Sequence, residues 1–332
     1  MTRRIDCEYD PLEEAPDATV PDPSPLTPTE RDAPPERAAT REPAREDVAA
    51  SALLMVLGAG FFVALAAMVK AASDEATPMQ AVLYRSVFSA LPLLVIMRVQ
   101  GIPVRGTRWT LLVLRGVLGF LALYCYLWSI AHIPLADVLA LQQMSPVFVA
   151  FLAVWLLGER PRRSHYVLAA VCMAGALLVV RPTRGLASLD SAVALLSALF
   201  SSGAYVAVRA LTRTEATQRI VLWFSLVAAM LSLPFVIPGW QPLSLRSHAL
   251  LAGAGVMALA AQTLMTASYR RAPAHVASAF SYASVPLAYV AGLLLWGERP
   301  DWASNLGIGL IVAGGVAIVV WVRPESGPLR AK

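Results

Sequence analysis

The side chains of this sequence that could do chemistry stand singly inside long apolar runs. Arg85 and Arg115 each lie about eight residues into such a run; Gln142, Gln143 and Ser145 come just before Pro146; Tyr205, Gln262 and Tyr282 interrupt three more. A guanidinium in these surroundings either binds an anionic group or clamps helix-end carbonyls, and for Arg85 both readings stand. Arg115 is nearer the end of its run, where a long side chain can snorkel to water, and is expected to be structural. No nucleophile stands beside a general base, and HExxH, CxxC and His/Cys clusters are missing. The chemistry to expect is binding rather than catalysis, with no enzyme activity, no metal and no cofactor.

Prolines and aromatics add to this set. Proline has no N–H, so Pro146 frees the carbonyl of Gln142 and Pro286 that of Tyr282. Such carbonyls are tolerated where they are buried in protein or line a cavity. Phe120, Tyr124 and Trp128 recur at helical spacing, as do Tyr282, Pro286 and Tyr289. A stripe of this kind serves either packing or a flat, amphipathic solute. The candidate binding residues are therefore Arg85, Tyr124, Trp128, Gln142, Gln143, Tyr205, Gln262, Tyr282 and Tyr289.

The elements that must position these residues follow from composition. Of 332 residues, 57% are hydrophobic and 15% charged, against roughly 25% charged in a soluble protein. Residues 1–48 are different: they hold nine of the 24 prolines, with 6 basic and 13 acidic side chains. That segment cannot bury enough apolar surface to offset its ordering entropy and reads as a disordered tail. The remainder has a net charge of +12, but its basic residues fall in short clusters between apolar spans, which argues against a nucleic-acid partner. Cys7, Cys125 and Cys172 are too scattered for a disulfide framework and read as small hydrophobes.

From Ala49 the chain is a series of ten apolar spans of about membrane-crossing length. Their limits are 49–71, 78–98, 108–131, 135–157, 165–181, 188–210, 217–237, 246–270, 276–296 and 302–322. If the N-terminus is cytoplasmic, the inner loops and C-terminal tail carry 14 Arg and Lys residues and the outer loops five. The positive-inside rule then puts both termini in the cytoplasm. A repeat supports the count. Pro134–Pro161 and Pro273–Pro300 are both apolar helices that begin after a proline and end in Gly-Glu-Arg-Pro, and adding 139 carries one onto the other. These are the fourth and ninth spans, so the unit has five helices, an odd number, and the halves enter the membrane with opposite orientation. The offset also pairs Gln143 with Tyr282 at matching depth.

The fold class expected is thus an all-α integral membrane protein of ten transmembrane helices in two inverted five-helix repeats, residues 49–181 and 188–322, with a cytoplasmic tail at 323–332. The two helices ending in Gly-Glu-Arg-Pro, the Tyr84-Arg85 pair and the run from Trp128 to Phe148 resemble the drug/metabolite transporter superfamily, specifically its EamA-type members. The resemblance covers residues 50–323 and implies a bundle with a central cavity lined by both halves, carrying small organic metabolites across a bacterial inner membrane. The partners it implies are a small-molecule substrate and the lipid bilayer; a homodimer is left open. Efflux of amino acids or related metabolites leads, with uptake of a nucleoside-like or vitamin-like solute such as S-adenosylmethionine or riboflavin as the alternative. A non-transporting scaffold or sensor would have to use the acidic tail. None of the nine carboxylates outside the tail lies mid-span, and Asp137, Glu159 and Glu298 sit near helix ends. That pattern argues for facilitated transport or for coupling through the substrate's own gradient.

Overall fold

The structure, a computed structural model, describes residues 47–132, 141–159, 161, 163–180, 189–296 and 302–321. The acidic tail, Asp137 and the second Gly-Glu-Arg-Pro turn lie outside these residues. All regular structure among the described residues is helical: α1 Val48–Ala72, α2 Pro78–Val99, α3 Trp109–His132, α4 Ser145–Leu157, α5 Arg163–Val180, α6 Leu189–Leu211, α7 Thr217–Val236, α8 Leu245–Arg271, α9 Ala274–Ala279, α10 Ser284–Trp296 and α11 Trp302–Trp321. With α9, a 3-10 turn and α10 counted as one span, these make ten helices. Where described, their ends lie within two residues of the expected limits, except that α4 begins at Ser145, inside the span expected over 135–157.

The ends are set by local chemistry. Asp47 caps α1 by accepting the Ala50 N–H at 2.9 Å. Thr77 and Gln80 form a reciprocal capping box ahead of Pro78, which loses nothing at the first helical position because its N–H would be unsatisfied there. Gly158 of the first Gly-Glu-Arg-Pro adopts φ 67° and closes α4, a left-handed conformation glycine takes without steric cost. One expectation is corrected. The ninth span is not a continuous helix: it tightens into a 3-10 turn over Phe280–Ala283 before Pro286. The cause is the missing proline N–H, together with Ser281 and Ser284, whose hydroxyls donate to the carbonyls of Ser278 and Ser281 at 2.7 Å each. The fourth span shows a matching turn at residues 143–144.

Among the described residues six helices are long and apolar enough to cross a membrane: α1, α2, α3, α6, α7 and α8. Their outer faces carry Val95, Val99, Leu114 and Met230 exposed, as do Trp155 on α4 and Trp302 on α11. Such a surface requires lipid as its solvent.

The packing repeats the offset seen in the sequence. The main pairs are α1 with α8, α3 with α6, α2 with α7 and α5 with α11. Exchange of the halves turns the first pair into the second and leaves the last two unchanged. Individual contacts obey the same rule. Gly116 faces Val227, and Gly255 faces Phe88, with 116 + 139 = 255 and 88 + 139 = 227. Gln80 donates to the Gln241 carbonyl at 2.8 Å, and Arg219, at 80 + 139, donates to the Pro103 carbonyl at 2.9 Å. Each half thus pins a loop of the other.

Candidate binding site

The long α2, α3, α7 and α8 meet where their small residues allow close approach, and the polar side chains of the apolar runs turn inward there. Arg115, on α3, lies with its guanidinium 4.1 Å from the centre of the Phe224 ring, and Arg85, on α2, reaches the same ring at 5.6 Å. Under the offset, 85 + 139 = 224, so Arg85 and Phe224 are equivalent positions of the two halves. Arg115 donates from Nη2 to Gln262 Oε1 at 3.1 Å and is 2% exposed. Contrary to the expectation from its place in the run, it does not snorkel, because Gln262 on α8 and the Phe224 face offer it partners inside the bundle. Gly119 makes the room: a Cβ there would stand 2.6 Å from Arg115 Nη1 and 2.7 Å from the Phe224 ring.

The electrostatics are one-sided. Among the described residues neither guanidinium has a carboxylate within ion-pair distance, and Arg85 makes no hydrogen bond. Arg115 Nε and Thr266 Oγ1, one helical turn beyond Gln262, are buried without a hydrogen-bond partner. A charged side chain at the centre of a spanning helix costs about 2.5–3.5 kcal/mol on insertion scales. The cation–π contacts with Phe224 offset part of this, about 2 kcal/mol where desolvated. Tyr205 is close enough to feel both charges and stacks on Tyr269, with ring centres 5.7 Å apart. Tyr124 packs into the Phe120–Phe224 cluster and lies 5.2 Å from Phe235.

Of the residues expected from sequence, the structure therefore brings together Arg85, Tyr124, Tyr205 and Gln262. The others lie elsewhere. Gln142 donates to Ser201 Oγ and accepts from Ser197 Oγ, both at 3.1 Å, joining the start of the fourth span to α6. Gln143 meets Tyr282 as the offset implies, but through its backbone: the Tyr282 hydroxyl donates to the Gln143 carbonyl at 3.0 Å. Trp128 stacks on His132 at 3.9 Å, and Tyr289 is half-buried on α10. Sequence reasoning missed Phe224, Thr266 and Tyr269. For Thr266 and Tyr269 the signal was spacing, since Gln262, Thr266 and Tyr269 are four and three residues apart and share one face of α8, and for Phe224 it was the offset from Arg85. Tyr282→Phe should cost about 1 kcal/mol, the worth of one interhelical hydrogen bond, and Gln143→Ala should leave that bond intact. Thermal unfolding in detergent would show a small drop for the first and almost none for the second.

Polar contacts between halves close both ends. At the end holding the α8–α9 turn, Glu159 accepts the Ala274 N–H at 2.9 Å, with His275 Nδ1 at 2.8 Å and Arg209 Nε at 3.4 Å. Beside it Glu215 pairs with Arg219, and accepts from the Thr107 hydroxyl and the Arg108 N–H at 2.8 Å each. The largest apolar cluster, including Leu211, Ile220, Tyr269, Ala277 and Phe280, packs around this end. At the other end Glu75 accepts the Ser244 N–H at 2.8 Å, and Tyr84 meets His248 at 2.6 Å. An apolar groove of about 470 Å³ opens beside Tyr84 and Phe88, away from the guanidiniums.

The model of the EamA-like transporter family matches this chain twice, over residues 50–181 and 191–320. The chain is 37% identical over 274 residues to a pseudopaline exporter of Pseudomonas aeruginosa, covering 81% of this chain and 93% of that protein. It is 27% identical over 215 residues to a riboflavin transporter of Vibrio cholerae, covering 64% of this chain and 72% of that one. A solved crystal structure matches with a TM-score of 0.70 at 20% identity, over 82% of this chain and 98% of the other, a likeness of fold.

Proposed function

As the chain belongs to the EamA-like transporter family, within the drug/metabolite transporter superfamily, we propose that it exports a small organic metabolite by alternating access across a bacterial inner membrane. The observation that carries this reading is the exchange of contacts between halves at an offset of 139, with the Arg85–Phe224 pair at equivalent positions. An inverted repeat of this kind places a solute site near the midplane, where rocking of one half against the other exposes it to each side in turn. The two sets of end contacts are then the gates. In this structure the Glu159 and Glu215 networks hold the end nearest the basic loops, which the positive-inside rule assigns to the cytoplasm along with both termini.

Export is favoured by the 37% identity to an exporter over most of both chains. Riboflavin transporters among the relatives sustain a second reading, transport of a vitamin-like solute. Both are tested with everted membrane vesicles from cells overproducing the chain. Accumulation of pseudopaline above vector control supports export of a related metabolite. Movement of riboflavin alone would replace it with the second reading, and movement of neither would leave the scaffold role of residues 1–48 as the function to pursue.

A further inference from the structure

We propose that the transported solute is an organic anion whose carboxylates bind between Arg85 and Arg115, while its apolar body rests on Phe224, Tyr205 and Tyr124; this rests on the transport reading above. Three observations converge on it. First, two guanidiniums share one phenylalanine ring with no carboxylate beside either among the described residues. A buried pair of like charges needs a counter-charge, and a bound anion supplies it. Second, Arg115 Nε and Thr266 Oγ1 are fully enclosed donors without partners. Carboxylate oxygens accept several charge-assisted hydrogen bonds at once and match the planar guanidinium edge. Third, Gly119 lets the Arg115 guanidinium and the Phe224 ring lie directly against α3, since a Cβ there would stand 2.6 Å from Arg115 Nη1 and 2.7 Å from the ring, and so fixes the charge on the aromatic face.

The surroundings argue for an organic anion over an inorganic one. Phe120, Phe224 and Tyr124 give the site an aromatic wall, which sulfate or chloride would leave unused. Two fixed positive charges match a solute bearing two carboxylates. The site is also divided between the halves. Both arginines come from the first half, where the offset puts Phe224 and Ala254 at their counterparts; Gln262, Thr266, Tyr205 and Tyr269 come from the second. Any rocking of the halves changes the distance between the charges and the hydrogen-bonding groups, so binding and opening are coupled. An anion leaving a cytoplasm of negative potential also moves downhill electrically, which fits spans that carry no mid-helix carboxylate.

The test uses the full-length chain in detergent, with succinate, glutamate and citrate as probes and sulfate, lysine and riboflavin as controls. At saturating succinate or citrate the apparent melting temperature should rise by roughly 3 °C or more. The rise should vanish in Arg85→Gln and in Arg115→Gln and persist in Gly315→Leu, where no atom lies within 4 Å. Where Arg115→Gln fails to fold, Arg115→Lys and Thr266→Val serve instead, each weakening the same probes by about tenfold. No shift from any of the carboxylates, an equal shift from sulfate, or a shift that survives both arginine changes would overturn the proposal. Counterflow in proteoliposomes separates its failure from that of the transport reading. Carboxylates that bind but do not move would sink transport and leave the site standing; riboflavin or lysine moving while carboxylates neither bind nor move would do the reverse.

Discussion

Replacing Glu159 with Ala should destabilise the protein by about 3–5 kcal/mol, the usual consequence of removing one member of a buried ion pair, and lower its melting temperature by roughly 5–10 °C. The Glu159 side chain is 9% exposed; it accepts the Ala274 N–H, bonds His275 Nδ1 and lies within ion-pair distance of Arg209. Its loss leaves the buried Ala274 N–H without its acceptor and removes the counter-charge 3.4 Å from Arg209 Nε. Because those partners belong to the second half and Glu159 to the first, the change also releases one gate. A cysteine placed on α9 should then react faster with a membrane-impermeant maleimide in everted vesicles. A variant with unchanged melting temperature and labelling would show that Glu159 is only a solvated helix end.

The same residue sets a pH response. Burial works to raise the Glu159 carboxyl, but the bonds from His275 and Ala274 and the charge of Arg209 outweigh it and hold the group below the usual carboxylate range near 4.5. Glu215 is depressed likewise, with the Arg108 N–H, Arg219 and Thr107 outweighing burial. A carboxylate with a depressed folded value contributes stability that is complete above its unfolded value and lost as the pH falls through the folded one. Melting temperature should therefore stay level from neutral pH toward 5 and fall below about 4.5, and Glu159→Ala should flatten part of that fall.

Gly175→Leu should cost about 3 kcal/mol or prevent assembly, while Gly315→Leu should be tolerated. A Cβ on Gly175 would lie 2.6 Å from the Gly307 carbonyl and 3.0 Å from Ile311, and a backbone atom cannot swing aside. The helices α5 and α11 would have to part, breaking a contact in which the Cys172 thiol also lies 3.8 Å from the Ile311 carbonyl. The pair is self-matched, since 172 + 139 = 311 and 168 + 139 = 307, and Gly314 faces Cys172 and Leu168 as Gly175 faces Ile311 and Gly307. At Gly315 no atom lies within 4 Å. The yield of monodisperse protein after detergent extraction, followed by thermal unfolding, would decide it; equal behaviour of the two variants would mean that the α5–α11 contact contributes little.

Several features of the fold were legible in the residues themselves. Ten apolar spans and their limits follow from the hydrocarbon thickness, and an offset of 139 between two proline-to-Gly-Glu-Arg-Pro runs gave the unit of repetition. Both are one-dimensional properties, fixed by how many apolar residues cross a bilayer and where prolines and glycines stop them. The break at Phe280–Ala283 was half legible: Pro286 announced a freed carbonyl, but the serine hydroxyls that tighten the turn could be located only in the structure. Arg115 was expected to snorkel and instead turns into the bundle, 2% exposed.

That error shows where sequence stops. In a soluble helix the apolar stripe marks the inner face, but lipid is as apolar as the bundle interior, so these helices are hydrophobic on every side and no stripe says which way a residue points. Each step along a helix turns the side chain by about 100°, enough to carry Gly315 away from the neighbour that its adjoining Gly314 touches. The sequence by itself determined how many helices there are, roughly where they run and which positions of the two halves correspond. Only the packing of α2, α3, α7 and α8 decided that Arg85 and Arg115 would share the Phe224 ring, because that depends on helix rotation, which pattern alone does not constrain.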